Sequence, residues 1–139
     1  MGAWGVGTFE NDTACDYALE VAEGSNLARL ESPIDHVLAS GNAYLEAPQA
    51  EEALAAAEIN ARLMGRFGKH DAYTEKIDEW VGRVGLSPSD ELAEKARRCV
   101  ARVMTQPSAL LDLWTESDQF ASWQSSVEEL LRRLQGGRA

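Results

Sequence analysis

One stretch, residues 48–67, constrains the fold more than any other part of the chain. Its sequence, PQAEEALAAAEINARLMGRF, places apolar side chains at helical spacing on two faces. One face is formed by Ala50, Ala53, Leu54, Ala57, Ala61 and Met64, and the other by Ala56, Ile59, Leu63 and Phe67. A narrow polar strip between the faces contains Glu51, Glu58, Arg62 and Arg66. A helix that is apolar on two sides needs neighbours on two sides. We therefore predict a helix from Pro48 to Phe67 at the centre of an all-α bundle.

The size of the chain favours a single helical domain over residues 1–139. The 139 residues are 45% hydrophobic, which is enough to bury a core without disulfides. Cys15 and Cys99 are too few for a disulfide scaffold or a zinc knuckle, so we expect reduced thiols and a cytoplasmic protein. No apolar run approaches the roughly 20 residues that span a bilayer, so no membrane association is predicted.

The acidic composition limits the possible partners. The formal net charge is −10, and such a surface repels nucleic acid phosphates and anionic lipids. A basic protein partner is electrostatically favoured, whereas nucleic acid binding is not expected. No cofactor is predicted.

Capping residues indicate the helix boundaries in the rest of the chain and predict a bundle of about six to eight helices. Residues 1–10 form a glycine-rich segment that Trp4 and Phe9 attach to the core, and Asn11 or Asp12 caps the first helix. Ser-Pro pairs at 32–33 and 87–88 predict two further helix starts. The later predicted helices cover residues 33–46, 73–84, 88–104, a short segment from 107, and 118–135. Residues 136–139 are expected to be a frayed tail.

A shift of 40 positions suggests a weak internal repeat. It superposes Pro48 on Pro88, Arg62 on Arg102 and Met64 on Met104, among seven matches between positions 48 and 64. The pattern is compatible with two copies of a helical hairpin, but alanine-rich helices also match through composition alone.

The opening residues carry a recognisable motif, W-G-x-G-x-F-E-N-D-x-A-x-D, from Trp4 to Asp16. It resembles the start of a small bacterial family known as domain of unknown function 4259, whose A-A-E helix is similar to residues 56–58 here. The resemblance covers the N-terminal half well and the C-terminal half poorly. It implies a mostly helical intracellular bacterial protein and provides neither a reaction nor a catalytic residue.

The first helix carries an acidic ridge. Asp12, Asp16 and Glu20 follow one another at i, i+4 and i+8, where like charges are mildly destabilising. Three interpretations are open: a solvated acidic face, a site for a cation or a protein partner, and ion pairs with a base of the central helix region. The candidate bases for such pairs are Arg62, Arg66 and Lys69.

Two further sets of residues complete the candidate binding site. Trp4, Gly5 and Glu10 belong to the opening segment, where the glycines predict close backbone approach rather than phosphate binding. Glu58 lies at the edge of an apolar face of the central helix. It is predicted either to contact the Gly5 loop or to pair with Arg62 at i+4.

A metal site is the alternative. His36, His70, Asp71 and Asp112 occur in the order H, HD, D, which resembles the all-helical metal-dependent phosphohydrolases, where these four would bind a metal that activates water. Against this, His70 and Asp71 follow Gly68 and Lys69 and also fit a turn in which Asp71 caps a helix.

The other candidates for chemistry are interpreted as structural. The helix N-terminus near Cys15 should lower the pKa of its thiol, whereas the surrounding acids should raise it. Trp80, Trp114 and Trp123 have core spacing. We expect no cleft of converging titratable groups. The favoured functions are a non-catalytic interaction module of the immunity or inhibitor type and a helical scaffold or homodimer. The metal-dependent phosphohydrolase is the less favoured hypothesis.

Overall fold

Helices account for the regular structure of residues 5–135, the part of the chain that the computed structural model describes. Their order is α1 Asp12–Ala22, α2 Ala28–Ala39, α3 Ala47–Leu63, α4 Glu75–Val84, α5 Asp90–Val103, α6 Ala109–Thr115 and α7 Phe120–Gln135. An isolated parallel bridge joins Leu45 and Ser108. The prediction of an all-α fold is confirmed. None of the helices in the described range has the length and apolar character needed to cross a membrane.

Helix α3 lies at the centre, as predicted. It packs against each of the other six helices, and every residue from 53 to 63 is buried. The small alanine side chains permit these close approaches. The polar strip does not lie open to water, because Glu58 and Arg62 are only 4% and 2% exposed. Burial of both charges requires partners inside the protein.

The predicted end of this helix at Phe67 is wrong. Helix α3 ends at Leu63, and Gly65 follows with a φ of +82°. The Gly65 amide donates to the Arg62 carbonyl at 3.0 Å and the Arg66 amide to the Ala61 carbonyl at 2.9 Å, which is the Schellman arrangement that terminates helices. The side chain of Phe67 is consequently 41% exposed.

Helix α2 begins earlier than the Ser-Pro signal predicted and ends earlier too, at Ala39 rather than Glu46. Pro33 lies inside it. A proline has no N–H, so the carbonyl four residues earlier, that of Arg29, lacks its helical donor. The hydroxyl of Tyr17 on α1 donates to that carbonyl at 2.7 Å. A neighbouring helix therefore supplies the hydrogen bond that the proline removes.

Two other boundaries also shift. The second Ser-Pro pair does not start a helix, because Ser89 rather than Ser87 is the N-cap of α5 and accepts from the Leu92 amide. Helix α4 begins at Glu75 instead of Tyr73, whose side chain is 46% exposed and not on an inner face. In contrast, the cap of α1 is Asn11, one of the two residues predicted.

The packing does not form a duplicated hairpin. Under the 40-residue shift the ends of α3 and α5 coincide, at Leu63 and Val103. Helix α2 packs on both of them, but α4 packs on α1 and α3 instead of on α5. The matched helices are therefore equivalent in sequence register and different in their neighbours.

Arg102 on α5 is half-buried and joins two loops. Its guanidinium donates to four backbone carbonyls between 2.7 and 3.0 Å, those of Gly41, Ala43, Thr105 and Pro107. The α2–α3 and α5–α6 connections are thereby held together beside the Leu45–Ser108 bridge. Residues 1–4 and the predicted tail 136–139 lie outside the described range.

Candidate functional site

Glu58 is the centre of a buried charged network. Its carboxylate accepts from Arg62 Nε at 2.9 Å, one helical turn further along α3. It also accepts from both terminal nitrogens of Arg133 on α7, each at 2.8 Å. The pairing with Arg62 was predicted from the i, i+4 spacing. The bidentate contact between Glu58 and Arg133 joins residues that are 75 positions apart in the sequence.

The two arginines extend the network to other elements. Arg62 donates to Asp78 on α4 at 2.6 Å and to the carbonyl of Lys69 at 2.6 Å. Arg133 donates to Glu129 at 2.6 Å. Burial works against the charge of Arg133, but hydrogen bonds and charge interactions with Glu58 and Glu129 outweigh it and raise its pKa. The network therefore fixes α3, α4, α7 and the loop that follows α3.

The N-terminal segment closes over this network. Thr8 Oγ1 donates to Glu58 at 3.3 Å, which confirms the predicted contact between Glu58 and the N-terminal loop, although a hydroxyl rather than an amide makes it. The Gly7 amide donates to Glu10 at 2.9 Å. A Cβ at Gly5 would overlap the carboxylate of Glu10, so the glycines serve close approach to Glu10. Trp4 lies outside the described residues.

A cleft of about 240 Å³ lies between this segment, the loop after α3 and α7. Its titratable lining residues are Glu10, Glu58, Arg62, Lys69, Asp71, Tyr73, Glu129 and Arg133. The expectation that the fold contains no cleft of converging titratable groups is therefore wrong. The sequence did not predict this cleft, because Arg133 forms part of its lining. The local sequence signal for Arg133 is its i, i+4 spacing from Glu129.

The acidic ridge of α1 is exposed. Asp12, Asp16 and Glu20 all face solvent, and Glu20 lies 3.8 Å from Arg29, where both side chains are more than half exposed. Two of the bases proposed for ion pairs bind other acids: Arg62 binds Glu58 and Asp78, whereas Lys69 lies near Glu10 and Asp71. Arg66 donates to the carbonyl of Arg133.

The four residues of the metal hypothesis make separate contacts. His36 is exposed on α2, and His70 Nδ1 lies 2.8 Å from Asp78. Asp71 accepts from the amides of Tyr73 and Thr74 and so closes a turn, while Asp112 accepts from Gln106. Within residues 5–135, no group of three or more His, Cys, Asp or Glu side chains could hold a metal ion.

Cys99 and the tryptophans Trp80, Trp114 and Trp123 belong to the packed interior, whereas Cys15 is half-buried. Burial, followed by the charges of Asp12 and Asp16, raises the pKa of Cys15, so the net shift has the sign expected from the acids and not the sign expected from the helix N-terminus. The Cys15 thiol donates to the Phe9 carbonyl at 2.9 Å. Trp114 and Trp123 are buried and stack with centroids 5.9 Å apart. The prediction that they are core residues is confirmed.

The fold and the cleft define the class of this chain, an all-α protein whose N-terminal segment is closed over a buried Glu–Arg network. Residues 2–126 match the family described as Domain of unknown function (DUF4259), and the chain belongs to that family. The match extends well beyond the N-terminal half, which is the part that the resemblance of the opening motif covers well. Comparisons with curated proteins and with solved structures find no match.

Proposed function

We propose that this protein is a non-catalytic module that binds a basic protein partner through the outer face of α1, as an immunity or inhibitor protein does. The α1 face is formed by Asp12, Asp16, Leu19, Glu20 and Glu23. At 100° per residue these five side chains fall within one sector about 100° wide.

The observation that carries the proposal is the position of Leu19. Leu19 is 45% exposed and lies at one edge of the α1 face, three residues after Asp16 and four before Glu23, so it is adjacent to both acids on the helix surface. Protein interfaces combine an apolar centre with a polar rim, and a face with four acids attracts a basic surface through complementary charge. The exposed leucine beside these acids would supply an apolar contact to such an interface.

The charged cleft favours binding over catalysis in this proposal. Glu58, Arg62 and Arg133 each contact a charged side chain of the same chain. Groups engaged in this way stabilise the fold, whereas a general acid or base must be able to reach a substrate proton. The raised pKa of Cys15 disfavours the thiolate form that a nucleophile requires.

The test reverses charges on two faces of the same protein. The variant Asp16→Lys/Glu20→Lys changes the α1 face, and Glu91→Lys/Glu94→Lys makes the same charge change at exposed positions of α5. Proteins retained from a lysate of the native host are identified, and the affinity of a retained basic protein is then measured with purified components.

We expect the α1 variant to weaken binding at least about tenfold, and high salt to weaken the wild-type complex. The α5 variant and the wild type should bind alike. The proposal fails if no basic protein is retained or if both variants lose binding equally. Retention of the chain itself, with a dimeric mass in solution, would favour the homodimer hypothesis instead.

A further inference from the structure

Two carboxylates at the mouth of the cleft are oriented by the backbone. Glu10 Oε1 accepts from the Gly7 amide at 2.9 Å. Asp71 Oδ1 accepts from the amides of Tyr73 and Thr74 at 2.9 and 3.2 Å. The second oxygen of each carboxylate approaches the same group, the ammonium of Lys69. Because backbone donors hold both carboxylates, little ordering is needed when a cation binds between them.

Lys69 occupies this position loosely. Its ammonium lies 3.5 Å from Glu10 and 3.4 Å from Asp71, and its side chain is 69% exposed. Charge-assisted hydrogen bonds are shorter, about 2.7–2.9 Å. An exposed lysine also gives up rotamer freedom to remain in one place. A competing cation with better geometry can therefore displace it at small cost.

We propose that Glu10 and Asp71 form the receptor for an arginine side chain of the basic partner, and that Lys69 occupies this receptor in the free protein. This inference rests on the proposed function, because the partner supplies the arginine. A guanidinium is planar and presents five donors in a fixed fork, so it can bind two carboxylates that one ammonium reaches only at long range.

The rest of the cleft is compatible with this ligand. It extends over about 240 Å³ and includes Glu129, whose side chain is 46% exposed. Arg62 and Arg133 do not oppose a third cation strongly, because Glu58, Asp78 and Glu129 together balance their charges. The cleft is also close to the proposed interface, since Glu10 precedes the first residue of α1 by two positions.

The test uses N-acetylarginine amide as a probe and its uncharged isostere, N-acetylcitrulline amide, as the matched control. The amide resonances of Gly7, Tyr73 and Thr74 report directly on the two carboxylates. We expect these resonances to shift saturably with the arginine probe and to remain unchanged with the citrulline probe.

Variants identify the receptor. Lys69→Met should tighten probe binding at least about threefold, because it removes the internal competitor, whereas Lys76→Met removes the same charge from α4 and should have little effect. Glu10→Gln and Asp71→Asn retain acceptors for the backbone amides and remove the charge, so each should weaken binding at least about threefold. Two independent variants keep the test valid if one of them fails to fold.

Three results would overturn the inference: equal shifts with both probes, equal affinities of the Lys69→Met and Lys76→Met variants, or shifts centred on the α1 amides. The two proposals can fail separately. If the α1 reversal abolishes partner binding and the Glu10 and Asp71 variants do not affect it, only the receptor is rejected. If the probe binds the cleft and no basic protein is retained, only the proposed function is rejected.

Discussion

The hydroxyl of Tyr17 donates to the carbonyl of Arg29 at 2.7 Å, in place of the amide that Pro33 lacks. The contact joins α1 to the first turns of α2. Tyr17 is 5% exposed, so loss of the hydroxyl would leave a carbonyl without its donor in a setting with little access to water.

The variant Tyr17→Phe should therefore lower the free energy of unfolding by about 1–2 kcal/mol. In a Pro33→Ala background the same change should cost less, because the alanine introduced at position 33 restores the helical N–H. Urea unfolding of the wild type, both single variants and the double variant gives the coupling energy. A coupling near zero would mean that the hydroxyl does not compensate for the proline.

Stability should fall at alkaline pH, in part because of Cys99. Burial raises the pKa of this thiol from 9.0 to about 12. The unfolded chain releases the proton near pH 9 and the folded chain retains it. The protonated thiol therefore makes its full contribution to the free energy of unfolding below pH 9, and this contribution is lost as the pH rises towards 12. By pH 11 the loss is roughly 2–3 kcal/mol. Cys99→Ala should flatten this slope, and Cys15→Ala, at the less buried thiol, should flatten it less. Thermal or urea unfolding between pH 8 and 10.5 measures the difference, and identical slopes in all three proteins would contradict the prediction.

The Glu58 network should be the most sensitive polar feature of the fold. Glu58→Gln leaves the buried Arg62 and the partly buried Arg133 without the Glu58 carboxylate and should cost about 3 kcal/mol. Glu129→Gln removes the half-exposed partner of Arg133 and should cost less than about 1 kcal/mol. Urea unfolding curves, fitted with a common dependence of the free energy of unfolding on urea concentration, check both values. Equal effects of the two variants would show that burial of Glu58 carries no special penalty.

Arg102 should not be replaceable by lysine. Its planar fork reaches four carbonyls, and a single ammonium cannot match that geometry. We expect Arg102→Lys to lower the free energy of unfolding by roughly 2 kcal/mol. The control Arg98→Lys, at an exposed position of the same helix, should change it by less than about 0.5 kcal/mol. Thermal unfolding measured by circular dichroism distinguishes the two variants.

Part of the cleft could be predicted from the sequence and part could not. The pair Glu58–Arg62 follows from helical spacing, and the contact of Glu58 with the N-terminal segment follows from its position at the edge of an apolar face. The partners Arg133 and Asp78 could not be found in this way, because they come from other helices and nothing local distinguishes them from solvated charges. Lys69 was considered as a partner of the α1 acids, but the loop directs it to Glu10 and Asp71.

Helix boundaries show the same division. Asn11, one of the two residues predicted to cap α1, is its N-cap, and the predicted end of α4 at position 84 is correct. Both boundaries depend on residues that are local in sequence. The start of α2 was missed because a proline inside a helix is tolerated only when another group serves the freed carbonyl. That group, the hydroxyl of Tyr17, lies on a different helix.

The sequence by itself determined the all-α class and the central place of α3, because 3.6-residue periodicity and two apolar faces are properties of consecutive residues. Only the tertiary structure decided which charges are buried and what they bind. Burial of Glu58 and Arg62 becomes tolerable once α7 brings Arg133 and α4 brings Asp78 within hydrogen-bonding distance. Such partners depend on the packing of whole helices, which the spacing of residues along one helix does not determine.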